Sequence, residues 1–66
     1  MKLEAFGCAT SRRIVDDSGA VLAMIEQYTS GRWAVHHADT DRRICPAIHK
    51  TPRAALTWFK ANQASI

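Results

Sequence analysis

Turn signals cut this chain into short pieces, and they limit its fold more than any other feature. Asp16-Asp17-Ser18-Gly19, Thr29-Ser30-Gly31 and Thr40-Asp41 each combine side chains that bond their own backbone with a residue tolerant of tight reversal. A further break, Thr51-Pro52, has the form of a helix start: Thr is a good N-cap, and Pro suits the first helical position, where its missing N–H costs nothing. The segments between the turns are too short for helices of ordinary length but suit strands.

Arg12–Asp16 and Ala20–Tyr28 read as a hairpin around the first turn. Ala20–Ile25 is apolar at every position, which suits a central strand; a short helix is the competing reading, and the flanking turns favour the strand. In Trp33–Asp39, Trp33 and Val35 fall on one face and Ala34, His36 and Ala38 on the other. Arg42–Lys50 alternates likewise, with Ile44, Pro46 and Ile48 opposite Arg43, Cys45, Ala47 and His49. Pro46 lacks a ladder donor, so this strand is expected at an edge or bulged. Met1–Thr10 supports a strand, a helical turn or an arm equally.

From Thr51 on, helical periodicity gathers Ala54, Ala55, Trp58, Phe59, Ala61 and Ile66 on one side, with Arg53, Thr57 and Lys60 opposite and Leu56 at the margin, and Thr51–Asn62 is expected to be helical. Trp58 and Phe59 are expected against a sheet that includes Trp33 and Ile48. The predicted fold is α+β: a small antiparallel sheet of three to four strands packed on one C-terminal helix, in a single domain spanning residues 1–66.

With 66 residues the chain has room for one core. A domain of this size buries only about 60% of its unfolded surface, so an enzyme pocket is hard to accommodate. Nine Lys/Arg against six Asp/Glu give a formal charge of +3, which permits an anionic partner without requiring one. Two cysteines are too few for a small disulfide scaffold, and Met1–Thr10 lacks the continuous apolar stretch of a secretory signal. The apolar run Ala20–Ile25 is too short to span a bilayer. The expectation is a cytoplasmic, non-membrane protein with reduced thiols.

No zinc-ligand spacing joins Cys8, Cys45, His36, His37 and His49, so neither a metal nor a cofactor is expected. A Cys45–His49 nucleophilic pair is disfavoured, because four residues of extended strand span roughly 13 Å. Gly7, Gly19 and Gly31 stand singly and form no phosphate-binding loop. No catalytic residues are assigned and no enzyme activity is expected. The remaining signal is basic: Arg12, Arg13, Arg32, Arg42, Arg43, Lys50 and Arg53 cluster near turns and strand ends. They read as phosphate contacts or as solubilising charges.

From Gly31 onward the order is Gly-Arg-Trp-Ala-Val-His, a turn, a strand, then Thr-Pro-x-x-Ala-Leu opening a helix. This order resembles the AP2-type DNA-binding domains and the arm-binding domains of phage integrases. That resemblance covers Gly31–Lys60 and implies a sheet laid in the DNA major groove with a helix bracing its back. The sequence departs from the AP2 pattern at Ile48-His49-Lys50-Thr51, where a Leu-Gly-x-Phe-type segment is expected, and it adds the apolar arm Ala20–Ile25. In length and in lacking an enzyme signature, the chain also resembles phage and mobile-element accessory proteins, including anti-CRISPR-like inhibitors.

These readings give a non-catalytic binding module. Its expected partner surface is Arg32, His36, Arg42, Arg43 and His49, on the sheet face away from the helix. The partner is nucleic acid or, alternatively, an acidic or nucleic-acid-binding host protein. A homodimer through an edge strand is also compatible with the sequence.

Overall fold

A computed structural model describes residues 1–65. Five strands form one antiparallel sheet in chain order: β1 (Lys2–Phe6), β2 (Cys8–Val15), β3 (Val21–Gln27), β4 (Trp33–His37) and β5 (Arg43–His49). A helix, α1 (Pro52–Asn62), follows and ends in a short 3-10 turn, Gln63–Ser65. The α+β class and the C-terminal helix agree with the sequence reading, but the sheet has five strands where three to four were expected. The extra strand is the segment the sequence left open: the chain reverses at Gly7, whose φ of +76° disfavours other residues, and pairs Lys2–Phe6 with β2.

The turn chemistry acts as anticipated. Asp16 Oδ1 accepts from the Ser18 N–H at 2.8 Å, the Ser18 hydroxyl at 2.6 Å and the Ala20 N–H at 3.0 Å. The Tyr28–Arg32 turn closes through the Tyr28 N–H to the Arg32 carbonyl at 2.8 Å, with Gly31 left-handed at φ +85°. In the β4–β5 turn the left-handed position falls to Asp41, at φ +58°. Aspartate is one of the few non-glycine residues that accepts this conformation at modest cost.

Cross-strand register sorts side chains between the two faces. Arg12, Ile25, Val35 and Cys45 form one row, and Ile14 pairs with Ala23 in the next. On this face Ile14, Ala23, Ile25, Trp33, Val35 and Cys45 pack against Ala55, Leu56 and Phe59 of α1. Burying Phe59 contributes about 1.5–3 kcal/mol. The Thr51 hydroxyl caps the helix by accepting from the Ala54 N–H at 3.1 Å. The apolar stripe is narrower than the periodicity implied: Ala54 and Ala61 are exposed, Trp58 is only half-buried, and Leu56 is buried rather than marginal. Ile66, assigned to that stripe, lies outside the described residues.

β5 is an edge strand, as Pro46 required, and its pairing with β4 shifts register twice. The shift between Arg43 and Cys45 overturns the expected faces. Cys45 lies in the core under the helix, and His49 faces Trp58, with ring centroids 6.0 Å apart. Ile48, expected beneath the helix, is 59% exposed.

Candidate functional site

The helix covers one face of the sheet and leaves the other open. Across the open face runs a row of paired residues from all five strands: Glu4, Arg13, Met24, His36 and Arg43. Beside it, Ser11 pairs with Glu26 and Glu26 with Ala34. A shallow cleft of about 290 Å³ opens here, lined by Phe6, Ser11, Met24, Glu26, Ala38 and Asp41. Phe6 and Tyr28 are 46% and 36% exposed, high values for aromatic side chains in so small a domain.

The five expected site residues do not form one surface. His36 and Arg43 are cross-strand partners, and Arg42 adjoins them in the β4–β5 turn. Arg32 and His49 lie at the other end of the same strands, where His49 partners Trp33. His49 faces the helix, so the expectation that it shares the open face is corrected; the cause is the register shift between Arg43 and Cys45, where two β5 steps oppose one β4 step. Nor is the open face uniformly basic, since Glu4, Glu26 and Asp41 lie among its cations.

Two arginines that the sequence grouped with possible phosphate contacts are engaged within the fold. Arg13 meets Glu4 through Nε and Nη2, both 2.7 Å from Oε1, and its guanidinium lies 5.4 Å from the Phe6 ring centroid. Arg12 sits on the helix face. Its Nη1 donates to the main-chain carbonyls of Ser11 at 2.8 Å, Ala9 at 2.9 Å and Cys8 at 3.5 Å, and its guanidinium stacks 5.6 Å from the Trp33 ring centroid. These carbonyls belong to the stretch where β2 shifts register against β1, so Arg12 ties that irregularity down.

His36 is the hub of the open face and is only 8% exposed. Its Nε2 is 3.1 Å from the Tyr28 hydroxyl and its Nδ1 is 3.0 Å from the Asp41 carbonyl oxygen. Glu26 Oε2 and Asp41 Oδ1 stand 3.7 and 3.6 Å from the same Nδ1. Sequence reasoning missed Glu26, Tyr28 and Asp41. The alternation Met24, Glu26, Tyr28 carried part of the signal, but only the β3–β4 register brings it to His36.

The Cys45–His49 pair, set aside on extended-strand spacing, is in contact: Sγ and Nε2 are 3.3 Å apart because the strand buckles at Pro46. Burial pushes the Cys45 thiol up and the His49 imidazole down from their ordinary pKa values. Both shifts favour the neutral partners, the reverse of the thiolate–imidazolium pair a nucleophile needs. Cys8 differs. It is exposed, and its pKa is lowered by hydrogen bonding with the hydroxyls of Thr10 and Ser11 and with the Thr10 main chain, with a smaller effect of the Arg12 charge.

Among the described residues no helix is long and apolar enough to cross a membrane. Compared with protein-family models, curated proteins and solved structures, the chain matches none of them.

Proposed function

We propose that this chain is a non-catalytic binding module that docks a protein partner on the open face of its sheet. One observation carries the reading: that face sets the partly exposed apolar side chains Phe6, Met24 and Tyr28 among charges of both signs around a shallow cleft. Aromatic and methionine side chains ringed by polar groups are the composition of protein interfaces, whereas carboxylates at the centre repel phosphates. The Cys45–His49 pair, with the thiol pushed up and the imidazole pushed down in pKa, supports a non-catalytic role. A partner of this kind fits the anti-CRISPR-like expectation of a stoichiometric inhibitor acting on a host protein.

A second reading, nucleic-acid binding, is favoured by a different observation. Arg32, Arg42, Arg43, Lys50 and Arg53 are exposed, and among the described residues none makes an ion pair. The sheet with a helix behind it also suits the major-groove arrangement that the AP2-type and integrase-arm resemblance implies. Pro46 and the register shifts interrupt pairing along β5, which disfavours a homodimer through that edge.

A salt titration with duplex DNA separates the two main readings. Phosphate contacts make log K fall by about 0.9 per contact with log salt. Protein docking on the open face predicts weak DNA binding that Arg42→Glu and Arg43→Glu barely alter. Tight binding with a steep salt slope that these variants flatten by about one unit each would favour the nucleic-acid reading.

A further inference from the structure

The sequence shows no metal-ligand spacing, yet the fold assembles a donor set from three separate places. Glu26 comes from β3, His36 from β4 and Asp41 from the β4–β5 turn, and their donor atoms all lie within 4.8 Å of one another. Among the described residues this is the one group of three or more His, Cys, Asp or Glu side chains with that convergence. We infer that Glu26, His36 and Asp41 form a binding site for a divalent first-row transition-metal ion, with the Asp41 main-chain carbonyl as a fourth donor.

The spacing fits such an ion. Donors about 2.1 Å from one metal stand about 3.0 Å apart at a right angle and about 3.4 Å apart at the tetrahedral angle. From His36 Nδ1 the Asp41 carbonyl oxygen is at 3.0 Å, Asp41 Oδ1 at 3.6 Å and Glu26 Oε2 at 3.7 Å. Toward Nδ1 the carboxylates need to close by only a few tenths of an ångström, and the side-chain donor atoms already lie within 4.8 Å of one another. Both are flexible enough to do so, with side chains 38% exposed at Glu26 and 77% at Asp41.

Charge points the same way. Among the described residues no Lys or Arg forms an ion pair with Glu26 or Asp41, although Arg43 is the cross-strand neighbour of His36, so two carboxylates and a carbonyl converge on one imidazole nitrogen without a cationic partner in contact. A dication neutralises that arrangement. The imidazole is also oriented for ligation. With Nδ1 on a metal, the other ring nitrogen carries the proton and donates to the Tyr28 hydroxyl, 3.1 Å away. A hydrogen-bond partner on the second nitrogen is the usual companion of a metal-bound histidine. One imidazole with carboxylate and carbonyl oxygens suits Zn²⁺ or Mn²⁺ better than thiolate-seeking Cu⁺. This inference is independent of what docks on the open face, although the site lies at the rim of the cleft.

Zinc chloride titrated into the full chain by calorimetry provides the test, with Glu26→Gln, Asp41→Asn and Tyr28→Phe as variants and circular dichroism as the check on folding. His36 is too buried for a clean deletion, so the ¹⁵N resonance of its Nδ1 is followed instead. The expected result is one zinc per chain and a large shift of the Nδ1 resonance. Affinity should fall by about tenfold or more in Glu26→Gln and Asp41→Asn, and by about tenfold in Tyr28→Phe, where only the orienting hydrogen bond is lost. The inference is overturned if the wild type takes up no zinc, or if zinc leaves the Nδ1 resonance unmoved. It is overturned equally if folded Glu26→Gln and Asp41→Asn bind zinc as the wild type does, or if Cys8→Ser or Cys45→Ser abolishes uptake.

Discussion

Replacing Arg12 with Met removes the guanidinium while keeping a stem of similar reach, and it tests whether this arginine serves the fold or a ligand. Its Nη1 makes two short hydrogen bonds, at 2.8 and 2.9 Å, to main-chain carbonyls in the irregular part of β2. Each contributes about 0.5–1.5 kcal/mol net. Stacking on Trp33 at 5.6 Å adds about 0.5–1 kcal/mol at a partly exposed site. The expected loss is about 2 kcal/mol. A domain of this length holds about 3–10 kcal/mol in total, so the change is large. It corresponds to a fall in Tm of about 8–16 °C. Arg13→Met is the matched control, because its pairing with Glu4 is a surface contact of about 0.2–1 kcal/mol. Urea denaturation of both variants reads the difference as a shift in midpoint at constant slope. Equal midpoints for wild type and Arg12→Met, or a larger loss for Arg13→Met, would refute the reasoning.

Thr51→Ala removes the helix cap and is expected to cost about 1 kcal/mol, again read from the urea midpoint. Phe59→Ala empties the centre of the helix–sheet contact; at about 3–5 kcal/mol it should leave much of the chain unfolded by circular dichroism. Alkylation followed by mass spectrometry should modify Cys8 well before Cys45, since one thiol is exposed with a lowered pKa and the other is buried with a raised one. Burial lowers the folded-state pKa of His49, so its neutral form is favoured in the folded state. The stability it supports is therefore full above the unfolded histidine value of about 6.5 and is lost as pH falls from there through the lower folded value. His49→Gln should flatten that part of the stability–pH curve, and an unchanged curve would count against the burial.

Local chemistry was the legible part of this fold. The Asp16–Gly19 turn, the Thr51 cap and the edge position implied by Pro46 rest on interactions between residues close in sequence, and each has the expected form. β1 was hidden because it is largely exposed and shows no alternation, so nothing short of its pairing with β2 marks it as a strand. The candidate site was harder to read. Simple alternation puts the odd-numbered side chains of β5 on one face, but the register shift between Arg43 and Cys45 sends Cys45 and His49 to the other. The Glu26–His36–Asp41 cluster depends on β3–β4 register and on a left-handed aspartate, neither of which composition or spacing reveals.

The central claim is that a protein, not a nucleic acid, occupies the open face of the sheet. Affinity capture on the immobilised chain tests it most directly, using nuclease-treated lysate of the source cells. The baits are wild type, Phe6→Ser combined with Tyr28→Ser, and Arg42→Glu combined with Arg43→Glu. Circular dichroism checks that all three are folded before capture. Arg42 and Arg43 are exposed and, among the described residues, make no ion pair, so substitutions there change stability by about 0.5 kcal/mol or less, whereas Tyr28→Ser also removes the hydrogen bond to His36. The account predicts a stoichiometric protein partner that survives nuclease treatment, is lost from the Phe6/Tyr28 variant and is kept by the Arg42/Arg43 variant. A partner released by nuclease, or one that the Phe6/Tyr28 variant holds as tightly as the wild type does, would contradict it.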